Sequence, residues 1–137
     1  MAGIIPLEGR LVRGRLIWKG DFSLRAANLE LGLFTNTEVD EEITAADITE
    51  PEGGGYSRIT LIDGEWQESE EDAEFTFARQ TFEAVGGGMT GTIRGYFIMG
   101  YDEEENPYLL AIEEDPMGPI TLDEEGYKYH VTPKIKE

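Results

Sequence analysis

Apolar residues in this chain come in blocks of a few, each closed by Gly, Pro, Asn or Asp, and the blocks read as strands and turns. Such a chain is constrained to a mostly β fold. The pattern predicts strands over residues 11–18, 28–34, 56–62, 74–78, 91–99, 108–113, 119–122 and 127–132. Alternation is clearest where Phe75 and Phe77 take one side while Glu74, Thr76 and Ala78 take the other. That is the signature of a strand with one face on a core and one in water. Tyr127, Tyr129 and Val131 form a second alternating series, which leaves His130 on the solvated face.

Short strands with polar outer faces must bury their apolar faces on another layer. The expected fold class is therefore all-β, an antiparallel β-sandwich, with a partly closed β-barrel as the alternative. One helical turn is expected in the connections, at Thr44-Ala45-Ala46-Asp47, with Thr44 capping and Asp47 at the capping-box position. Gly53-Gly54-Gly55 and Gly86-Gly87-Gly88 read as turns. Neither is a phosphate loop, since no Lys-Ser or Lys-Thr follows and no long helical pattern begins there.

Charge divides the chain in two. Residues 1–25 hold five basic side chains (Arg10, Arg13, Arg15, Lys19, Arg25) against Glu8 and Asp21, a balance of +3, whereas residues 26–137 hold six basic and 27 acidic side chains, a balance of −21. The expectation is a basic N-terminal arm or edge strand (1–25) extending from an acidic β-sandwich domain (26–137). The arm is suited to the acidic body of a neighbouring copy or to another anionic surface, with an affinity that salt weakens. Arg10, Arg13, Arg15 and Lys19 are its candidate assembly contacts. A net charge of −18 argues against a general nucleic-acid binder, because nearly every face would repel a phosphate backbone.

The 137 residues suffice for one domain with its own core, and the absence of cysteine excludes disulfides and thiol chemistry. The longest apolar runs, such as Leu109-Leu110-Ala111-Ile112, fall far short of the ~20 residues that span a bilayer. No membrane partner is expected. The first residues lack the pattern of a secretory signal, which points to synthesis in a cytoplasm.

No catalytic constellation emerges. His130 is the single histidine, without a second base or ligand nearby in sequence, and no serine elbow is present. The acidic clusters, such as Asp102-Glu103-Glu104-Glu105 and Asp123-Glu124-Glu125, lack the alternating spacing of an EF-hand, so solvated surface charge is the reading and no metal or other cofactor is expected. Among the aromatics, Tyr101 beside the turn at 102–106 is the candidate for an exposed contact with a sugar ring or a protein.

Several segments occur in a telling order. They are Leu31-Gly32-Leu33-Phe34-Thr35-Asn36, Gly55-Tyr56-Ser57-Arg58-Ile59-Thr60-Leu61, Trp66, Phe75-Thr76-Phe77, Gly95-Tyr96-Phe97-Ile98, Leu109-Leu110-Ala111-Ile112-Glu113, Gly118-Pro119-Ile120 and Val131-Thr132-Pro133-Lys134-Ile135. In that order the chain, over residues 29–136, resembles the small virion structural proteins of tailed bacteriophages. The resemblance brings no active-site motif and implies no enzyme. It implies a virion protein made in the host bacterial cytoplasm. The leading expectation is a capsid decoration, or cement, protein bound to the major capsid protein as a homo-oligomer, with a trimer favoured. The alternatives are a tail or baseplate module that binds host-surface glycan, and a tail-tube or connector component. The added basic N-terminal segment and the dense acidic loops depart from the family pattern.

Overall fold

The computed structural model describes residues 4–18, 29–61, 66–71, 73–102 and 104–136; at 14–18 and 136 the description covers the backbone alone. Among the described residues one α-helix, α1 (Leu7–Trp18), precedes eleven strands: β1 (Leu29–Phe34), β2 (Glu52–Gly53), β3 (Ile59–Leu61), β4 (Gln67–Ser69), β5 (Glu74–Thr76), β6 (Gln80–Glu83), β7 (Met89–Thr90), β8 (Gly95–Tyr101), β9 (Pro107–Glu114), β10 (Lys128–Val131) and β11 (Lys134–Lys136). The main sheet runs β3-β1-β8-β9, and the smaller sheets are β10-β6, β11-β5-β4 and β2-β7. Every pairing is antiparallel. The architecture is the all-β, sandwich-like one expected, and no barrel closes.

The principal core lies between the main sheet and the smaller ones. Leu31, Leu33, Ile98 and Ala111 meet Phe77, Phe82, Ile93 and Val131 there. A second core forms on the other face of the main sheet, where Phe34, Phe97, Met99, Leu109 and Ile112 are covered by Val39, Ile43 and Ile48. The segment after β1 thus wraps back across the sheet. This explains why β8 is buried from Gly95 through Gly100 without alternation: both of its faces have a layer on them.

A bulge lets β9 serve both cores. Ile98 pairs with Ala111 and Met99 with Leu109, so Leu110 is the extra residue. The shift keeps Leu109 and Ile112 on the second core, while Leu110 packs toward the first.

The first segment corrects the sequence reading. Residues 11–18, read as a strand, belong to the helix α1. The physical reason is composition. Leu, Arg and Glu are strong helix formers, and Leu7 with Leu11, and separately Val12 with Leu16, recur at the four-residue spacing of a helical turn. The helix packs on β9, with Gly9 and Val12 buried against it. A Cβ on Gly9 would stand 2.7 Å from the Leu110 carbonyl oxygen, so glycine is what permits this approach. Just before the helix, Ile4 exchanges two backbone hydrogen bonds with Ile112 at the edge of the main sheet. The N-terminal segment therefore covers an edge of its own sheet.

Other differences are smaller. Residues 119–122 form no strand and contribute a single bridge, Ile93 to Ile120. The short strands β2, β4, β6 and β11 carry too few apolar residues to stand out in sequence. The expected turn at Thr44 forms as a 3-10 helix, Ala45–Asp47, with the Thr44 N–H and hydroxyl both donating to Oδ2 of Asp47. Gly53, Gly54 and Gly55 have φ of 79°, 57° and 70°, as the turn reading requires.

Candidate functional site

Of the four candidate assembly residues, Arg10 and Arg13 lie on α1, the side chain of Arg15 is outside the description, and Lys19 falls outside the described residues. Arg10 donates from Nε to the Ile5 carbonyl and pairs through Nη2 with Glu41 at 3.2 Å, both side chains well exposed. An exposed pair of this kind contributes little to stability. Leu7 and Leu11, one turn apart, are 44% and 59% exposed on the outward side of the helix, with Ile4 beside them at 39%. The N-terminal segment thus presents aliphatic side chains and cationic groups together.

Glu8 fixes this surface in place. Its Oε2 accepts hydrogen bonds from the backbone N–H of Ala45 at 2.9 Å and of Leu109 at 2.8 Å. One carboxylate thereby joins the first turn of α1 to the 3-10 turn and to β9. Sequence reasoning treated Glu8 only as a charge that offsets the arginines, and nothing in its neighbourhood in sequence points to partners so far along the chain.

Tyr101, expected to be an exposed aromatic, is instead half-buried beside the second core. Its hydroxyl donates to Glu30 Oε1 at 2.7 Å and accepts from Arg58 Nη1 at 2.6 Å. Arg58 meets Glu50 in a two-pronged pair, Nε to Oε1 at 3.0 Å and Nη2 to Oε2 at 3.1 Å, and its guanidinium lies 5.2 Å above the Phe97 ring. Tyr56 completes the group by donating to Glu50 Oε1 and accepting from the Leu33 N–H. Burial pushes the Tyr56 phenol well above its ordinary range, and the hydrogen bond to Glu50 holds Arg58 firmly protonated. The phenols donate, the carboxylates accept, and the guanidinium lies between them. This is a brace across β1, β3 and β8, with its polar groups turned toward one another. It leaves no aromatic platform at Tyr101.

A second buried-edge group joins β8, β9 and the C-terminal strands. Tyr96 donates to Glu113 Oε2 at 2.8 Å and accepts from the Lys134 N–H at 3.1 Å, while Tyr129 donates to Asp115 Oδ2 at 2.6 Å. Burial raises the carboxyl of Glu113 above its ordinary value of 4.5, against the opposing pull of the Tyr96 hydrogen bond. Above that ordinary value the unfolded chain releases this proton first, so the folded chain holds more protons and stability falls as pH rises until Glu113 ionises in the fold as well. Replacing Glu113→Gln keeps an acceptor for Tyr96 and removes this component. Denaturant midpoints from about pH 4 to about pH 7 are expected to decline less steeply in the variant than in the parent chain. Parallel profiles would contradict the role assigned to burial here.

The acidic loop after β8 spends its first carboxylate on its own backbone. Asp102 accepts from the N–H of Glu104 and of Asn106, from the Asn106 amide and from the Tyr108 hydroxyl, bonds that hold its carboxyl below the usual range. Among the described residues no group of three or more His, Asp or Glu side chains is arranged to hold a metal ion. His130 is exposed, as expected, and its Nδ1 lies 2.9 Å from the Thr81 hydroxyl. A cleft of about 220 Å³ opens beneath α1, with a lining that is almost wholly apolar and includes Ile5, Val12, Trp66, Leu110 and Ile135. Among the described residues no helix is long and apolar enough to cross a membrane. Compared with protein-family models, with curated proteins and with solved structures, the chain finds no significant match in any of the three.

Proposed function

We propose that this chain is a structural protein of a tailed-phage virion, a decoration protein that sits as a small oligomer, a trimer, on the outer surface of the shell built by the major capsid protein. The observation that carries the reading is the polarity of the molecule. A helix bearing Arg10 and Arg13, with exposed Leu7 and Leu11, is docked on a body whose sequence carries a charge of −21. Such a molecule has one cohesive end and otherwise repels its own kind, which favours ordered contacts over indiscriminate ones. The reading draws as well on the resemblance that the order of segments over residues 29–136 bears to small virion proteins.

Two features weigh against the glycan-binding alternative. Tyr101 is committed to Glu30 and Arg58, and Trp66 packs on the core edge-on to Phe77 at 5.2 Å. The test is co-sedimentation of the purified chain with assembled capsid shells at low and high salt. The chain is expected to pellet with shells, with binding that weakens as ionic strength rises. A chain that stays in the supernatant with intact shells at low salt overturns the reading.

A further inference from the structure

At Lys134 the last strand is fastened to the main sheet by one hydroxyl. The Pro133 carbonyl accepts from the Phe77 N–H, so the alternation of the β5–β11 ladder turns the N–H and C=O of Lys134, the next residue, away from β5. Both of these groups meet Tyr96 of β8. The Lys134 N–H donates to the Tyr96 hydroxyl at 3.1 Å, and the same hydroxyl stands 3.3 Å from the Lys134 carbonyl oxygen. Tyr96 thus takes the place that a further strand would hold on the outer edge of β11 at this residue.

A phenol has a single proton, and here two acceptors compete for it. Glu113 Oε2, on β9, lies at 2.8 Å, nearer than the Lys134 carbonyl. An ionised carboxylate accepts more strongly than an amide carbonyl, so with Glu113 charged the proton points to Glu113 and the Lys134 carbonyl goes without it. A protonated Glu113 reverses the direction: its own O–H can donate to the phenol oxygen, and the phenol proton turns to Lys134. Tyr96 is 7% exposed, which leaves little room for water to make up the missing bond.

We propose that Glu113, Tyr96 and Lys134 form a pH-sensitive clasp on β11, in which protonation of Glu113 hands the phenol proton to the Lys134 carbonyl and closes the last strand on the main sheet. The groups that face Glu113 set where the clasp works. Burial and the charge of Asp115, on the turn after β9, favour the protonated form, while the Tyr96 hydrogen bond, the amino-terminal charge and Lys134 oppose it. Tyr129 of β10 donates to Asp115, and Lys134 is shared with Glu74 of β5 at 4.0 Å. The balance raises the Glu113 carboxyl above 4.5, so the clasp is closed below that value and opens as pH rises through the raised one. Closure and proton uptake are reciprocal, since whatever closes the clasp tightens the hold of Glu113 on its proton.

Amide hydrogen exchange, read residue by residue by NMR on the intact chain, tests this. Protection factors of the Lys134 and Ile135 amides are expected to fall about five-fold between about pH 4 and about pH 7, the weight of one ordinary hydrogen bond. In Glu113→Gln the step is expected to vanish and protection to stay at its low-pH level, because the side chain is neutral throughout and its amide can donate to the phenol. Tyr96→Phe keeps Glu113 and its burial but removes the relay. There the Ile135 amide is expected to be less protected at every pH and to show no step. Circular dichroism checks folding, and Glu113→Gln, which retains every partner, carries the test should Tyr96→Phe lose structure. Equal protection at both ends of the range in the parent chain would overturn the proposal, as would a step that survives in either variant or one shared in full by the amide of Phe97, buried in the main sheet.

Discussion

Replacing Gly95→Ala is expected to destabilise the fold by about 3 kcal/mol or more, at the upper end of what overpacking costs. A Cβ there would run into the backbone carbonyl of Glu113 and would lie 2.8 Å from the Phe34 ring. The carbonyl belongs to the paired strand β9 and has no rotamer to change, so relief requires β8 and β9 to part. Gly32→Ala makes an instructive contrast. Its Cβ would run into the ring of Phe97, a side chain instead of backbone. Trimming that ring with Phe97→Leu is therefore expected to recover part of the loss, a coupling of about 1 kcal/mol between the two sites. No side-chain trimming is expected to rescue Gly95→Ala to that extent. Denaturant unfolding of the single and double variants measures both. A loss below about 1 kcal/mol for Gly95→Ala would contradict the closeness of the β8–β9 pairing.

The second large effect is expected at Arg58. Removing one partner of a buried ion pair costs roughly 3–5 kcal/mol because the other charge is left without compensation. About a quarter of the Arg58 side chain is exposed, and Glu30 and Glu50 are similarly placed. Water reaches the group, so Arg58→Met is expected to cost about 2–3 kcal/mol, below the fully buried range. Methionine retains an apolar cover over Phe97, which isolates the electrostatic part of the loss. Adding Glu30→Gln and Glu50→Gln removes the stranded charges while keeping acceptors for Tyr101 and Tyr56. The triple variant is expected to regain at least half of the loss in denaturant midpoint. A triple variant less stable than Arg58→Met alone would mean that the carboxylates have a role beyond neutralising the arginine.

These two sites also mark where sequence pattern is informative and where it fails. The strands of the main sheet were legible because Leu31, Leu33, Ile98 and Leu109 fall in apolar blocks bounded by turn residues. The wrap of Val39, Ile43 and Ile48 over the second face was not, since isolated apolar residues in an acidic connection resemble an ordinary loop. The helix α1 was misread because its apolar residues fall on both sides, giving neither a clean helical stripe nor a clean alternation. In the candidate site, the cationic residues were visible as a charge imbalance. The seat of Glu8 was not, because its two backbone partners lie 37 and 101 positions away. Tyr101 shows the same limit: an aromatic beside an acidic turn looks solvent-facing until Arg58, 43 positions earlier, is brought to its hydroxyl.

The hydrogen bond from Leu109 to Glu8 spans 101 positions and has a consequence for order in time. Ribosomes deliver the first residues of a chain first, at roughly 5–20 residues per second. Residues 4–18 therefore emerge early, yet their seat on β9 does not exist until residue 114 has been made. A segment made before the strand it joins has to wait for that strand before it can settle. During that interval the edge of β9 and the underside of α1 wait for one another. Nascent chains held close together in that interval can exchange these segments, so rapid elongation on widely spaced ribosomes is the condition under which each chain closes its own sheet.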